Sequence, residues 1–226
     1  MNGTEKGTGL DSSMTDLMTS LAVIFILLLV ASLNNAQQEA ITVREVLIQE
    51  LKKTLGDYSD RGVRIQSDPG DPLSLLVLIP ESLLAFKFGD YQVPAAGVDF
   101  LGDFAPRLLG TVCDKRFRSE VNAVVVEGHT DSTGTEIVNL PLSQRRSMEV
   151  VVKSLDKLPA ANAGSAELKA CVVGLLSASG RGSGDPILVN GVEDKERSRR
   201  VIFKVRVRSL EQRQLVEVVV PEQDRK

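Results

Sequence analysis

The chain has 226 residues, a formal net charge of −3 at pH 7, one histidine and two cysteines. That length carries one good-sized domain with an attached segment, but not two full domains. Lys and Arg alternate with Asp and Glu, so no basic field draws nucleic acid and none is expected as a partner. Cys113, Cys171 and His129 have no metal-ligand spacing, so neither a metal nor another cofactor is expected. A Ser-His-Asp or Cys-His pair can be assembled on paper, but no nucleophile motif accompanies it, and the chain is expected not to be an enzyme.

In chain order, residues 1–13 form a polar tail, and Met14 to Leu33 follow as a run whose only charge is Asp16. At ~1.5 Å per residue such a run crosses the roughly 30 Å hydrocarbon layer of a bilayer, which predicts a transmembrane helix over 14–36. The competing reading is a cleaved signal peptide. Against it stand the lack of a basic region before the run and the poor cleavage site in "SLNNAQQ". Lys6 on one side faces Arg44, Lys52 and Lys53 on the other, so charge alone does not orient the span.

"ITVREVLIQELKKTLGDYSD" reads as an amphipathic helix in a linker over 37–59, ended by Gly56 and "SDRG". Ile41, Ile48 and Leu55 recur every seven residues with Leu51 between them, and Arg44 interrupts the seam. Two heptads fit a helix packing on its own domain as well as one pairing two chains. "VRIQSDPGDPLSLLVLIPESLLAFKFG" gives two strand-like runs about a Pro/Gly/Asp turn. Next come a helix in "PAAGVDFLGDFAPRLLGTV", a strand in "NAVVVEGHT" and a helix in "LSQRRSMEVVVKSL". A helix in "GSAELKACVVGLL" runs into a strand at "LLSASG", then an alternating strand "RRVIFKVRVRS" and a β-prone "QLVEVVV" close the chain. Strands alternating with helices predict an α/β sandwich, one sheet with helices on one face.

The phrase "VVVEGHTDSTGTEIVNLPLSQRRSMEVV", through Glu127 to Asp131, Gly134, Asn139, Leu142, Ser143 and Arg146, resembles the OmpA-like peptidoglycan-binding domain, as do "LLVLIPESLLAFKFGDYQVPAAGVDFL" before it and "ASGRGSGDPILVNGVEDKERSRRVIFKV" after it. The likeness spans roughly residues 60 to 208. It departs at Ser198, where the family carries Asn, at Gly89, where an acid is usual and Asp90 is next, and at 160–174, which looks like an inserted helix. The fold implied is α+β: one N-terminal transmembrane helix, then an OmpA-like sandwich with one mixed sheet over 60–226.

A diaminopimelate residue of a peptidoglycan stem presents an ammonium and a carboxylate on one carbon. The resemblance implies that Asp131 takes the ammonium and Arg146 the carboxylate in a bidentate pair. Thr130, Asn139, Arg199 and Arg200 would be secondary contacts or loop-fixing residues. Without the resemblance, Asp131 and Arg146 read equally well as a structural ion pair. His129 is expected to be a turn residue, and "GRGSGD" a bend rather than a phosphate loop.

Asp16 has two explanations. Ser13 to Asp16 fits a capping box, favourable by about 1 kcal/mol in a helix's first turn. An ionisable group inside an apolar span also marks a partner helix or a hydrated path. A short tail, a span with an early Asp, a linker and an OmpA-like domain together resemble the B subunits of stators, in which the Asp carries protons in a channel shared with a multi-span A subunit. Thr15, Thr19 and Ser20 place hydroxyls within a turn of Asp16. "TDLMTSLAVIFILLLVAS" is more similar to the ZorB family of the Zorya anti-phage system than to flagellar MotB spans. The resemblance implies a ZorA-like partner, five A subunits around a homodimer of B chains. It also implies an inner-membrane location with residues 1–13 cytoplasmic and the domain periplasmic. A plain wall tether without ion flux is the other class open. In an oxidising periplasm Cys113 and Cys171 would pair as a disulfide, the alternative being two separate buried thiols.

Overall fold

A computed structural model describes residues 8–159, 163–209 and 212. The β-prone "QLVEVVV" near the C-terminus lies outside the described residues. The chain falls into two units, Met1–Glu39 and Ala40–Lys226, and helix α1 (Thr8–Thr54) contributes to both. In the first unit the side chains of Met14 to Leu33 are exposed on every face. A helix apolar all round finds its partner surface in lipid or other helices, and this one is long and apolar enough to cross a membrane.

From Ala40 the helix is part of the second unit, so the folded domain begins inside the segment that sequence reads as a linker. Ile48, Leu51 and Leu55 of the seven-residue seam, with Leu47, are buried in the domain's own core, and Ile41 is half-buried. Arg44, which interrupts it, is buried as well. Its Nη1 donates to the Pro72 carbonyl at 2.6 Å, and it pairs with Glu45. A 3₁₀ turn at Gly56–Arg61 ends on Gly62, whose φ of 92° a glycine accepts without strain.

Five strands form the main sheet: β1 (Arg64–Ser67), β2 (Ser74–Pro80), β3 (Val121–His129), β4 (Leu176–Gly180) and β7 (Arg200–Val207). Their order is β1-β2-β7-β3-β4, antiparallel except for the β3/β4 pair, a mixed sheet as expected. The parallel pair needs a long crossover, supplied by α4 (Glu136–Asp156) and α5 (Ala163–Leu175). Alternation along each strand sends Leu75, Val77 and Ile79, Val124 and Val126, and Val201, Phe203 and Val205 into one core. There they meet Phe100, Leu101, Phe104 and Leu108 of α3 (Ala95–Val112) and Val150 and Val151 of α4. Phe104 meets Tyr58 and Phe203 edge-on at 5.3 and 6.0 Å. On the other face of β7, Lys204 pairs with Asp68 at 2.6 Å and Arg206 with Asp71 at 3.0 Å.

A short helix α2 (Glu81–Leu84) follows β2, and a hairpin of β5 (Leu188–Val189) and β6 (Val192–Glu193) leads into a second, α6 (Lys195–Ser198). The hairpin turns on Asn190 and Gly191, both at positive φ, as an Asn-Gly turn of this kind requires. The inserted helix is α5, and Cys171 within it is bonded to Cys113, which caps α3, with Cα atoms 6.1 Å apart. That bond staples the insertion to the core.

Candidate functional site

The motif around Asp131 is where β3 gives way to a loop and then to α4. Gly128 and Gly180 face each other across the β3/β4 pair. A Cβ on Gly128 would stand 2.3 Å from the Ser143 carbonyl oxygen, and one on Gly180 2.5 Å from the Gln144 nitrogen. The bare backbone therefore lets α4 lie directly against the strand ends, and the Ser143 hydroxyl accepts from the Gly182 N–H at 2.9 Å. This close approach brings Arg146 to the same cavity as Asp131. Asn139 closes the loop between them, its Nδ2 donating to the carbonyls of Asp131 and Thr133 at 3.3 and 3.1 Å.

The cavity holds about 500 Å³ and is lined by Glu81, Asp131, Arg146 and Arg199 together with Phe86, Phe88, Val138 and Leu142. Its charged side chains form one relay. Arg199 Nη1 donates to Asp131 Oδ2 at 2.6 Å, and Arg199 Nε to Glu81 Oε2 at 2.6 Å. Arg146 Nη1 donates to Glu81 Oε1 at 2.7 Å. Asp131 and Arg146 are thus joined through Arg199 and Glu81 rather than paired with each other. Arg146 also donates Nε to the Asp90 carbonyl at 2.9 Å and Nη2 to that of Lys87 at 3.1 Å, and its guanidinium lies 4.7 Å from the Phe86 ring centre. Its fork, expected to be open to a ligand carboxylate, is engaged by the protein itself.

Burial works against the charge of Asp131. The Arg199 hydrogen bond and the N–H of Thr133 outweigh it and hold the carboxyl below its ordinary range. Burial pulls Arg146 down, with Glu81 opposing, while the bond to Asp131, then that to Glu81, raises Arg199. Glu81 was not singled out from sequence. Its signal is a carboxylate placed directly after the apolar run of β2, where a strand end meets the site.

Thr130 and Asn139 also line the cavity, and the Thr130 hydroxyl, buried, has no hydrogen-bond partner among the described residues. Arg200 does not line it. Its guanidinium holds the 181–187 segment through Asp185, at 2.7 Å to the carboxylate and 3.1 Å to the carbonyl, which makes it the loop-fixing residue of the pair. Ser198, in the place of the family's Asn, accepts from the Ile187 N–H at 3.0 Å. Asp90 turns its carboxylate onto the N–H groups of Tyr91 and Gln92 at 2.7 and 3.1 Å, fixing its own loop. His129 is not a turn residue: it ends β3 opposite Arg200 and is buried on the face of the strand that carries Glu127, opposite to the core-facing Val124 and Val126.

In the first unit, α1 begins at Thr8, so Asp16 lies in its third turn and not in the first, where a capping box acts. Asp16 is exposed within this chain, and Thr19 donates its hydroxyl to the Thr15 carbonyl at 2.7 Å.

No protein-family model matches the chain. Zorya protein ZorB of Escherichia coli (strain ATCC 8739) is 30% identical over 209 residues, covering 85% of this chain and 86% of that protein. A second Zorya protein ZorB, of Escherichia coli O139:H28, is 29% identical over 202 residues, covering 85% of this chain and 78% of its own length. Among solved structures, a MotB-like protein from Desulfovibrio vulgaris shares the fold with a TM-score of 0.50 at 23% identity, over 76% of this chain and 96% of that one.

Proposed function

The chain belongs to the ZorB family, and on that footing we propose that it is the single-span B subunit of a stator-like complex, anchored to peptidoglycan by its OmpA-like domain. The observation that carries the anchoring role is the cavity. Two carboxylates and two guanidiniums stand beside an apolar wall of Phe86, Phe88, Val138 and Leu142. Such a lining suits a group that carries an ammonium and a carboxylate on one carbon at the end of an aliphatic chain, the free end of a diaminopimelate residue. Asp131 is the anionic pole for the ammonium, and Arg146 with Arg199 forms the cationic pole for the carboxylate. The protein is a binder and not an enzyme.

Asp16 is the proton carrier of the reading. An aspartate in a helix apolar all round is costly in hydrocarbon, by ~2.5 to 3.5 kcal/mol at the centre of a span and less near its end. A partner offering a hydrated path removes that cost. The partner proposed is a multi-span ZorA-like subunit, five around a homodimer of this chain. The domain is then periplasmic, residues 1–13 are cytoplasmic, and protons passing Asp16 drive the anti-phage response. The Cys113–Cys171 bond supports an oxidising compartment for the domain.

The test of anchoring is a pull-down of the full-length chain, in detergent micelles, with purified sacculi. Wild type is expected to sediment with them and Asp131→Ala to stay in solution; equal sedimentation of the two would remove the assignment.

A further inference from the structure

A ligand ammonium meets Asp131 with a donor already on each oxygen, Arg199 Nη1 on Oδ2 at 2.6 Å and the Thr133 N–H on Oδ1 at 2.9 Å, and of these the guanidinium is the like charge with which it competes. The two guanidiniums of the cavity differ in their freedom to respond. Arg146 is 5% exposed, and each of its three nitrogens already donates, two of them to the carbonyls that hold the 87–90 loop. Arg199 keeps 36% of its side chain open and has two protein partners, Asp131 through Nη1 and Glu81 through Nε. If the bond to Asp131 opens, the bond to Glu81 still tethers Arg199 in the cavity with both Nη atoms available.

We propose that Arg199 is the exchange residue of this site. The ligand's ammonium replaces it on Asp131, and the released guanidinium, pivoting on Glu81, takes the carboxylate carried by the same carbon. This rests on the peptidoglycan reading above and gives it a source of selectivity. The lining charges, Glu81 and Asp131 against Arg146 and Arg199, sum to zero. A zwitterion leaves that balance intact and re-pairs every charge it disturbs. A lone ammonium takes Asp131 but strands Arg199, leaving one positive charge uncompensated in a partly desolvated site. A lone carboxylate offers nothing to Asp131. Arg146 keeps its donors on Glu81 and the 87–90 loop through the exchange and contributes its charge to the cationic pole.

Diaminopimelate and lysine stems separate these cases, since within a stem peptide the lysine side chain ends in an ammonium alone. Full-length protein in detergent micelles would be titrated with two disaccharide-peptides that differ only in diaminopimelate or lysine at the third stem position. Wild type is expected to prefer the diaminopimelate form by roughly tenfold or more. In Arg199→Gln that preference is expected to collapse towards unity, with binding of the lysine form retained or strengthened because Asp131 is released. Arg199→Lys keeps the charge but not the fork and is expected to recover only part of the preference. The readout is a ratio within one variant, so partial unfolding, which lowers both affinities together, does not imitate the effect. An unchanged ratio in Arg199→Gln, with Asp131→Asn losing both ligands, overturns the exchange and leaves the reading standing. Wild-type binding of both ligands by Asp131→Asn overturns the reading and the exchange with it.

Discussion

Asp16 and Asp131 are both carboxylates set among apolar residues, and the chain treats them in opposite ways. Asp131 is satisfied inside its own domain: a guanidinium, a backbone N–H and a glycine-enabled helix approach are all supplied within the domain. Asp16 sits in a helix whose neighbours Met14, Leu17 and Met18 are more than half exposed, and no hydrogen bond or ion pair reaches it among the described side chains. Asp131 is provided for by the fold that holds it, whereas the role proposed for Asp16 in a lone span needs a partner helix or a hydrated path from outside it. The two residues should therefore respond differently to the same kind of substitution.

The largest difference is expected at Asp16. Asp16→Asn keeps the size and polarity of the side chain and removes its titration. Protection of cells from phage should be lost altogether, while the variant still co-purifies with its multi-span partner. Protection at the wild-type level would erase the contrast between the two carboxylates.

In the domain, Asp131→Ala and Arg146→Ala should each weaken sacculus binding by roughly 2 to 5 kcal/mol, the cost of leaving one member of a desolvated pair without its partner. They should part company in stability. Asp131→Ala opens one end of the relay, whereas Arg146→Ala also releases Glu81 and the carbonyls of Lys87 and Asp90. Thermal melts should show the larger drop for Arg146→Ala. Equal drops would mean that the 87–90 loop does not depend on that guanidinium.

That division of labour shows where sequence reading reaches and where it stops. The five strands of the main sheet, the three long domain helices and the inserted helix follow from period and turn residues, and the motif residues Asp131, Asn139, Thr130 and Arg146 line one cavity. The relay did not follow. Which guanidinium meets a carboxylate depends on Glu81, fifty residues upstream of Asp131, and no local pattern encodes that contact. The seam of Ile41, Ile48 and Leu55 stayed open for a related reason. A two-heptad stripe is the same whether it meets its own core or a second chain, and Arg44 bonding to the distant Pro72 carbonyl is a tertiary fact. The β5/β6 hairpin, by contrast, has a local signal of its own in Asn190-Gly191.

Neither cysteine lines the cavity, so the disulfide tests stability apart from binding. The bond spans 58 residues of sequence, and the chain-entropy model assigns such a loop ~4 kcal/mol, with native strain often lowering the gain. Cys171→Ser is expected to lower the melting temperature of the domain and to leave the affinity of the remaining folded protein for sacculi unchanged. Lost affinity at a temperature where the variant is folded would tie the inserted helix to the site.

The smallest effect concerns acid, and it separates Asp131 from the histidine two residues before it. Asp131 is held below the ordinary carboxylate range, so the stability it brings is present above the unfolded value of ~3.9 and is lost only as pH falls through the still lower folded value. Mild acid leaves it ionised. His129 is 3% exposed, and neither ring nitrogen has a hydrogen-bond partner among the described residues. Glu127 and Asp185 stand off at 3.8 and 3.9 Å, and Arg200 faces it from β7. Burial pushes its pKa down, against the pull of Glu127, so the folded protein keeps the ring neutral where the unfolded chain would protonate it. Stability is then complete above the unfolded value of ~6.5 and drains away as pH falls below it, by at most ~1.4 kcal/mol per pH unit. Melting curves at pH 8, 6.5 and 5 should show a fall over the acid half of that range for wild type and a smaller one for His129→Gln. Parallel curves would move the acid sensitivity to another group. Sacculus binding measured where both proteins are folded should be level across the same range, because Asp131, the anionic pole proposed for the ligand, does not titrate there.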